Sequence, residues 1–230
     1  MGEDLQVAGW RARGIPHGFA RPGTEVAAGL VLSRVRQVHG VRILHAHEAT
    51  VGATSRSEID PAKEPGDGLL ATQPGDAVAV ATADCVPVLL TDESGSRVAA
   101  VHAGWRGTLG GIAGAAVDAL CRTGADRRGI EAAIGPCIGA CCFEVETEFR
   151  EKFRKEFGAL VDEIWKDGRP GHGTLDLRLL NRRQLEIAGI GTAAIHDCGG
   201  CTACGTDGFA SWRRDGQSAG RQLSWIGVRA

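Results

Sequence analysis

No stretch of this sequence approaches the roughly 18 consecutive apolar residues that a membrane-spanning helix needs, so nothing is expected to cross a bilayer. The opening MGEDLQVAGWRARG has no apolar core of the secretory type, which predicts a cytoplasmic protein without a signal peptide. No long basic run occurs, and 26 Lys+Arg against 28 Asp+Glu give a net charge of −2. Nucleic acid is therefore not expected as a partner, because such binding rests on clustered positive charge. No Pro/Ser-rich linker or internal repeat divides the 230 residues, and tyrosine is absent altogether.

What is present is a 43% hydrophobic composition with 34 glycines and eight cysteines. A chain of this length can build a core without disulfides, so its cysteines read as reduced thiols serving as ligands, nucleophiles or small core residues. Helix-like and strand-like segments interleave throughout, which points to one domain over residues 1–230. Strands are expected near 14–19, twice between Leu30 and His47 with a break at His39-Gly40, and over Ala77–Thr82. Further strands are expected over Val86–Thr91, Arg97–Ala103, Ile130–Ile134, Thr192–Ile195 and Leu223–Val228. Helices are expected over Thr108–Arg122, Glu144–Leu160 and Asp176–Ala188, the last capped by Thr174 or Asp176 and closed by Gly189. Residues 97–134 then form a β-α-β unit, and Thr50–Gly66 is a polar surface loop.

The stretch ATADCVPVLLTDESGSRVAAVHAGWRGTL, Ala81–Leu109, organises the rest. Two apolar runs flank Asp-Glu-Ser-Gly-Ser, a hairpin-turn composition. With the turn centred near Ser94, Cys85 falls within about one position of facing His102, where opposed Cβ atoms are about 5 Å apart. A thiolate beside an imidazole suits zinc or copper, and equally a Cys–His nucleophile pair. A catalytic zinc with an open position needs a third protein ligand. His39, His45 and His47 all compete for that role.

Other segments carry chemistry less specifically. Arg106, after Gly104-Trp105, stands at an expected helix start, where free N–H groups and a guanidinium could hold an anion, or where it could simply stack on Trp105. Ile134–Glu144 contains tight-turn glycines and the adjacent Cys141-Cys142, read as buried thiols rather than a zinc pair. Cys198-x-x-Cys201-x-x-Cys204, with His196 upstream, has metal-like spacing but no matching knuckle elsewhere. Arg213 and Arg214, in Phe209–Asp215 and followed by Gly220-Arg221-Gln222, could bind phosphate, stack on a base, or pair with Asp215.

In order, GIPHGFARPG, QVHG, GDGLLATQPGDAVAVATADCVPVLL, VAAVHAGWRGTLGGI, AIGPCIGACCFEV, LDLRLLNRRQLEIAGI, a Cys-Thr pair at 201–202, FASWRRDG and GRQ resemble one family. It is that of the YfiH-type purine nucleoside phosphorylases, long labelled laccase-like multicopper polyphenol oxidases. The resemblance spans residues 14–222. Two departures stand out. The stretch between Pro22 and Gln37 is shorter than in most members, and the usual Phe-Phe-Ser-Tyr reads Phe209-Ala210-Ser211-Trp212 here.

The resemblance implies a single α+β domain with mixed sheets and flanking helices. It implies a zinc ligand set of His39, Cys85 and His102, choosing His39 over His45 and His47. Arg106, from its place at the helix start, is expected to join Cys85 and His102 in the reaction by clamping developing charge. Trp105, Arg106 and Arg213 become expected substrate-binding residues. The implied reaction is phosphorolysis of adenosine, inosine and methylthioadenosine, with adenosine deamination beside it. Purine nucleosides and phosphate are then the partners. Copper-dependent phenol oxidation is the rival enzyme reading, although the multicopper signature needs more histidines than one such set. A non-catalytic metal-binding protein is the rival of a different class.

Overall fold

The computed structural model describes residues 4–24, 29–46 and 64–230. His47 and most of the expected Thr50–Gly66 loop lie outside them. Among the described residues no helix is long and apolar enough to cross a membrane.

Two mixed sheets face each other. Strands β1 (His17–Phe19), β2 (Val31–Ser33), β5 (Asp76–Thr82) and β13 (Gln222–Gly227) form a four-stranded sheet in the order β1-β13-β5-β2. Strands β3 (Ile43–His45), β4 (Gly68–Ala71), β6 (Val86–Thr91), β7 (Val98–Ala103), β8 (Glu131–Ile134) and β12 (Ile195–Asp197) form a six-stranded sheet in the order β12-β8-β6-β7-β4-β3. The architecture is α+β, as expected.

The period of two along β6 explains why it sits at the centre. Val86, Val88 and Leu90 face the helices and join Val101, Ile112, Ala116, Leu120, Leu180 and Leu185 in the larger core. Leu89 points the other way and packs with Leu69, Ala100, Val78, Val80, Phe19 and Ile226 between the sheets. All six β6 residues are buried, as are all six of β7. Such continuous apolar runs mark strands covered on both faces.

Three expectations are corrected. Thr108–Arg122 is not one helix: Trp105–Leu109 and Ile112–Arg122 are separate, divided at Gly111, whose φ of 79° breaks the right-handed path. Thr108 lies inside the first of these and is buried, accepting a hydrogen bond from Asn181 Nδ2 at 3.0 Å. Glu144–Leu160 begins as strand β9 (Glu144–Glu146), followed by a helix over Glu148–Phe157. Pairing with β11 (His172–Leu175) in a small third sheet with β10 (Trp165–Asp167) overrides the local helical pattern there. Residues 192–194 form a helical turn, with the strand following at Ile195–Asp197. The Asp176 cap stands: its carboxylate accepts from Leu179 N at 2.8 Å, and Gly189 with φ 93° ends the helix Leu177–Ile187. Strands β7 and β8 run parallel across intervening β6, since each pairs antiparallel with it.

Because Leu89 is fully buried between the sheets, Leu89→Ala is expected to lower unfolding free energy by about 2–5 kcal/mol. Ile187→Ala, at a side chain 77% exposed, should change it by no more than about 0.5 kcal/mol. Urea denaturation of the two variants checks the contrast.

Candidate functional site

The β6–β7 hairpin closes through Asp92, whose carboxylate accepts the N–H groups of Ser96 and Arg97 at 2.8 and 3.2 Å, while Gly95 takes φ 74°. This turn sets a register one step from the expected one: Val86 faces Ala103 and Pro87 faces His102. Cys85 stands just beyond the paired end of β6. There the chain bends back, and Cys85, His102 and His39 bring a ligand atom each to within 4.8 Å of one another. His39 and His102 rings meet edge-on, with centroids 4.7 Å apart. His45 is elsewhere, with Nε2 3.3 Å from Thr72 Oγ1.

Asp67, fully buried just before β4, builds this arrangement. Its Oδ1 lies 2.8 Å from His102 Nδ1 and accepts His39 N–H at 2.8 Å. Its Oδ2 accepts the N–H groups of Val38 at 3.2 Å and Gly40 at 2.6 Å. With Nδ1 donating to a carboxylate, His102 turns Nε2 toward the cluster, the usual support for a metal-bound imidazole. Gln37 fixes the His39 loop from the other side by exchanging hydrogen bonds with the backbone of Ala81, both 2.8 Å. Asp67 was not singled out from sequence.

A second buried carboxylate, Asp84, holds the opposite wall. Its Oδ1 accepts from Thr202 Oγ1 at 2.6 Å and its Oδ2 from Arg213 N at 2.7 Å. Its carbonyl accepts Ile138 N–H at 2.9 Å. Among the described residues, His39 (φ 60°) and Asp84 (φ 86°) are the non-glycines at positive φ. Both are in or beside the cluster, where backbone strain commonly marks function.

Electrostatics follow from burial and partners. Burial alone would raise the Cys85 pKa, but hydrogen bonding and charge from His102 and His39 draw it down to about 6. Burial would lower that of His102, yet Asp67 and Cys85 lift it to about 9. Burial likewise opposes ionisation of Asp67, and bonds from His102, Gly40 and His39 overcome it and hold the pKa below its ordinary value. The metal-free cluster is thus a thiolate beside an imidazolium. One thiolate and two imidazoles suit a zinc- or copper-type cation. The space suits one as well: a Cβ on Gly104 would lie 2.9 Å from His39 Cδ2 and 3.2 Å from Cys85 Sγ.

The cluster forms the floor of a cleft of about 570 Å³ whose walls include Ile138, Phe143, Trp212, Arg34, Arg213 and Arg221. Arg213 lines the cleft, with its guanidinium 5.6 Å above the Phe143 ring and bonded to the carbonyls of Cys142 and Glu144 at 2.7 and 3.1 Å. Arg214 instead pairs with Asp215 at 2.7 Å. Trp105 and Arg106 are not among the lining residues. Trp105 packs on Phe149 with centroids 4.9 Å apart, and the exposed Arg106 stacks on Trp105 at 4.3 Å. In this structure the short helix after Gly104 packs Trp105 against the helical layer and leaves Arg106 stacked on its outer side. Arg34 and Arg221 are further cations at the cleft; Arg221 belongs to the GRQ motif, whereas Arg34 was unmarked in sequence because tertiary folding alone brings it there.

The expected Cys198/Cys201/Cys204 grouping is also redrawn. Cys198 packs beside the inter-sheet core and His196 Nε2 lies 3.3 Å from Glu131 Oε2. Cys141 and Cys142, expected to be buried, are exposed and half-buried beside Cys201 and Cys204.

Since Cys85 of metal-free protein stays ionised down to about pH 6, its alkylation rate should fall off only below that pH. His102→Ala should raise the midpoint toward the ordinary thiol value of about 8.5. Mass-spectrometric alkylation profiles against pH measure both.

Comparison with known proteins places this arrangement. The family model described as "Multi-copper polyphenol oxidoreductase laccase" matches residues 23–229. The chain is 40% identical over 191 residues to adenosine deaminase RL5 from an unknown prokaryotic organism, covering 83% of this chain and 72% of that protein. It is 37% identical over 194 residues to purine nucleoside phosphorylase YlmD of Geobacillus stearothermophilus, covering 84% and 70%. The crystal structure of Bacillus licheniformis YfiH superposes with a TM-score of 0.83 at 29% identity, covering 99% of this chain and 97% of that one. Fold, sequence and family match agree, and the chain belongs to the YfiH-type family.

Proposed function

We propose that this chain is a zinc-dependent purine nucleoside phosphorylase. It would act on adenosine, inosine and methylthioadenosine, release free base and ribose 1-phosphate, and also deaminate adenosine. The observation that carries this reading is the His39–Cys85–His102 donor set at the floor of a cleft walled by both arginines and apolar rings. Relatives named as purine nucleoside phosphorylases and as an adenosine deaminase support it.

His39, Cys85 and His102 would hold the cation, which when bound supplies Lewis acidity at the cleft floor. Asp67 keeps the His102 Nδ1 proton, so Nε2 faces the cluster in one fixed tautomer. Arg34, Arg213 and Arg221 place positive charge where a phosphate would enter and where negative charge would grow as the base leaves. Phe143, Ile138 and Trp212 offer apolar surface to a planar base and exclude water from it.

A thiolate with two imidazoles would also accept copper, which keeps phenol oxidation as a second reading. Incubating purified protein with adenosine and inosine, with and without phosphate, separates the readings. Phosphate-dependent adenine or hypoxanthine is the expected product, and inosine from adenosine reports deamination. Absence of both products would overturn the proposal. Metal analysis of the same sample should find zinc. Asp67→Asn is expected to reduce metal affinity or turnover by about 10–100-fold, and Cys85→Ala to abolish both, as read by metal content and product formation.

A further inference from the structure

We propose a second metal site, a four-thiolate zinc centre formed by Cys141, Cys142, Cys201 and Cys204 on the far side of the cleft wall. The four sulfurs lie within 4.8 Å of one another, and Cys141 Sγ is 3.6 Å from Cys204 Sγ. A tetrahedral zinc with Zn–S of about 2.3 Å sets sulfurs about 3.8 Å apart. The observed cluster needs only about 1 Å of contraction to reach that geometry. Four convergent sulfurs from two loops are the donor set of a closed structural site and leave no open position for substrate.

Two backbone turns present these thiols, and both are built for it. In the first, Cys142 N and Phe143 N donate to Gly139 O at 2.9 and 3.0 Å, which folds Cys141 and Cys142 back over Gly139. A Cβ at Gly139 would lie 3.1 Å from Cys141 Sγ and 3.3 Å from Cys201 Cβ, so a side chain there would crowd the sulfurs. In the second, Gly205 N donates to Cys201 O at 2.8 Å, and a Cβ at Gly205 would meet that oxygen at 2.3 Å. The sequence Cys201-Thr-Ala-Cys204-Gly205 is thus a tight knuckle that turns both thiols to one side. Gly139 N–H donates to Cys201 Sγ at 3.2 Å, tying the first turn to the second and favouring charge on that sulfur.

The position gives the site a purpose. Ile138 and Phe143, flanking the first turn, line the cleft, and Thr202, between the two knuckle cysteines, donates to Asp84 beside Cys85. A zinc here would staple the loop after β8 to the loop after β12 and so fix one wall of the cleft. The vicinal pair Cys141-Cys142 supplies the partner that the spacing of Cys201 and Cys204 lacked. This inference does not rest on the nucleoside reading, since it concerns ligands that take no part in it.

The test is zinc stoichiometry of the full chain purified under reducing conditions. Wild type is expected to carry about two zinc equivalents, one for each donor set. The double variant Cys142→Ser/Cys204→Ser should lose one, and His39→Ala/Cys85→Ser should lose the other and keep this one. Native wild type gives an answer free of folding effects, through peptide-mapped alkylation. Exposed Cys141 and Cys204 should resist labelling until a chelator is added, then label at least tenfold faster. Immediate labelling of both thiols, unchanged zinc in the first double variant, or a Cys141–Cys204 disulfide in the reduced preparation would overturn the proposal.

Discussion

The carboxylate of Asp67 is the interaction on which the rest of the cleft depends. It is fully buried, yet its two oxygens face one imidazole N–H and three consecutive backbone N–H groups. A buried carboxylate without such partners would neutralise rather than stay charged. Here its charge is retained and used twice. It fixes the tautomer of His102, and it holds the Val38–Gly40 backbone in the left-handed turn that carries His39. One residue thereby places two donors that are far apart in sequence.

Around it, the molecule divides labour between stiffness and reach. The β6–β7 hairpin is buried on both faces, so the ends that carry Cys85 and His102 rest on close-packed core. The loops that supply His39, Ile138, Thr202 and Arg213 are tied in addition by hydrogen bonds to Asp67 and Asp84. Gly104, where the hairpin gives way to helix, keeps the space between the three donors clear. Side chains are thus placed by packing, and the loops by packing together with buried carboxylates.

This division also explains what could be read in the sequence. The hairpin was legible because two apolar runs flank a turn of Asp, Ser and Gly, and turn chemistry fixes register to within a residue. That was enough to bring Cys85 to His102. The Asp176 cap was legible for the same local reason. Asp67 and Asp84 were not, because nothing local distinguishes a buried aspartate that gathers hydrogen bonds from distant segments from one in a surface turn. Motif resemblance alone chose His39 among three histidines. Trp105 and Arg106 stand outside the cleft lining because Trp105 packs on Phe149 and Arg106 stacks on Trp105, contacts that no local pattern announces. The cysteine quartet stayed hidden since its halves lie in loops distant along the chain, and only the side-by-side strands β8 and β12 bring those loops together.

The backbone at Asp84 carries a consequence for how this protein can change. Its φ of 86° is one that an L residue adopts at a cost of about 1–3 kcal/mol. Glycine would relieve that cost locally, but it would sever the contacts to Thr202 and to the Arg213 backbone in the same stroke. Backbone comfort and order in the cleft therefore pull in opposite directions at a single position.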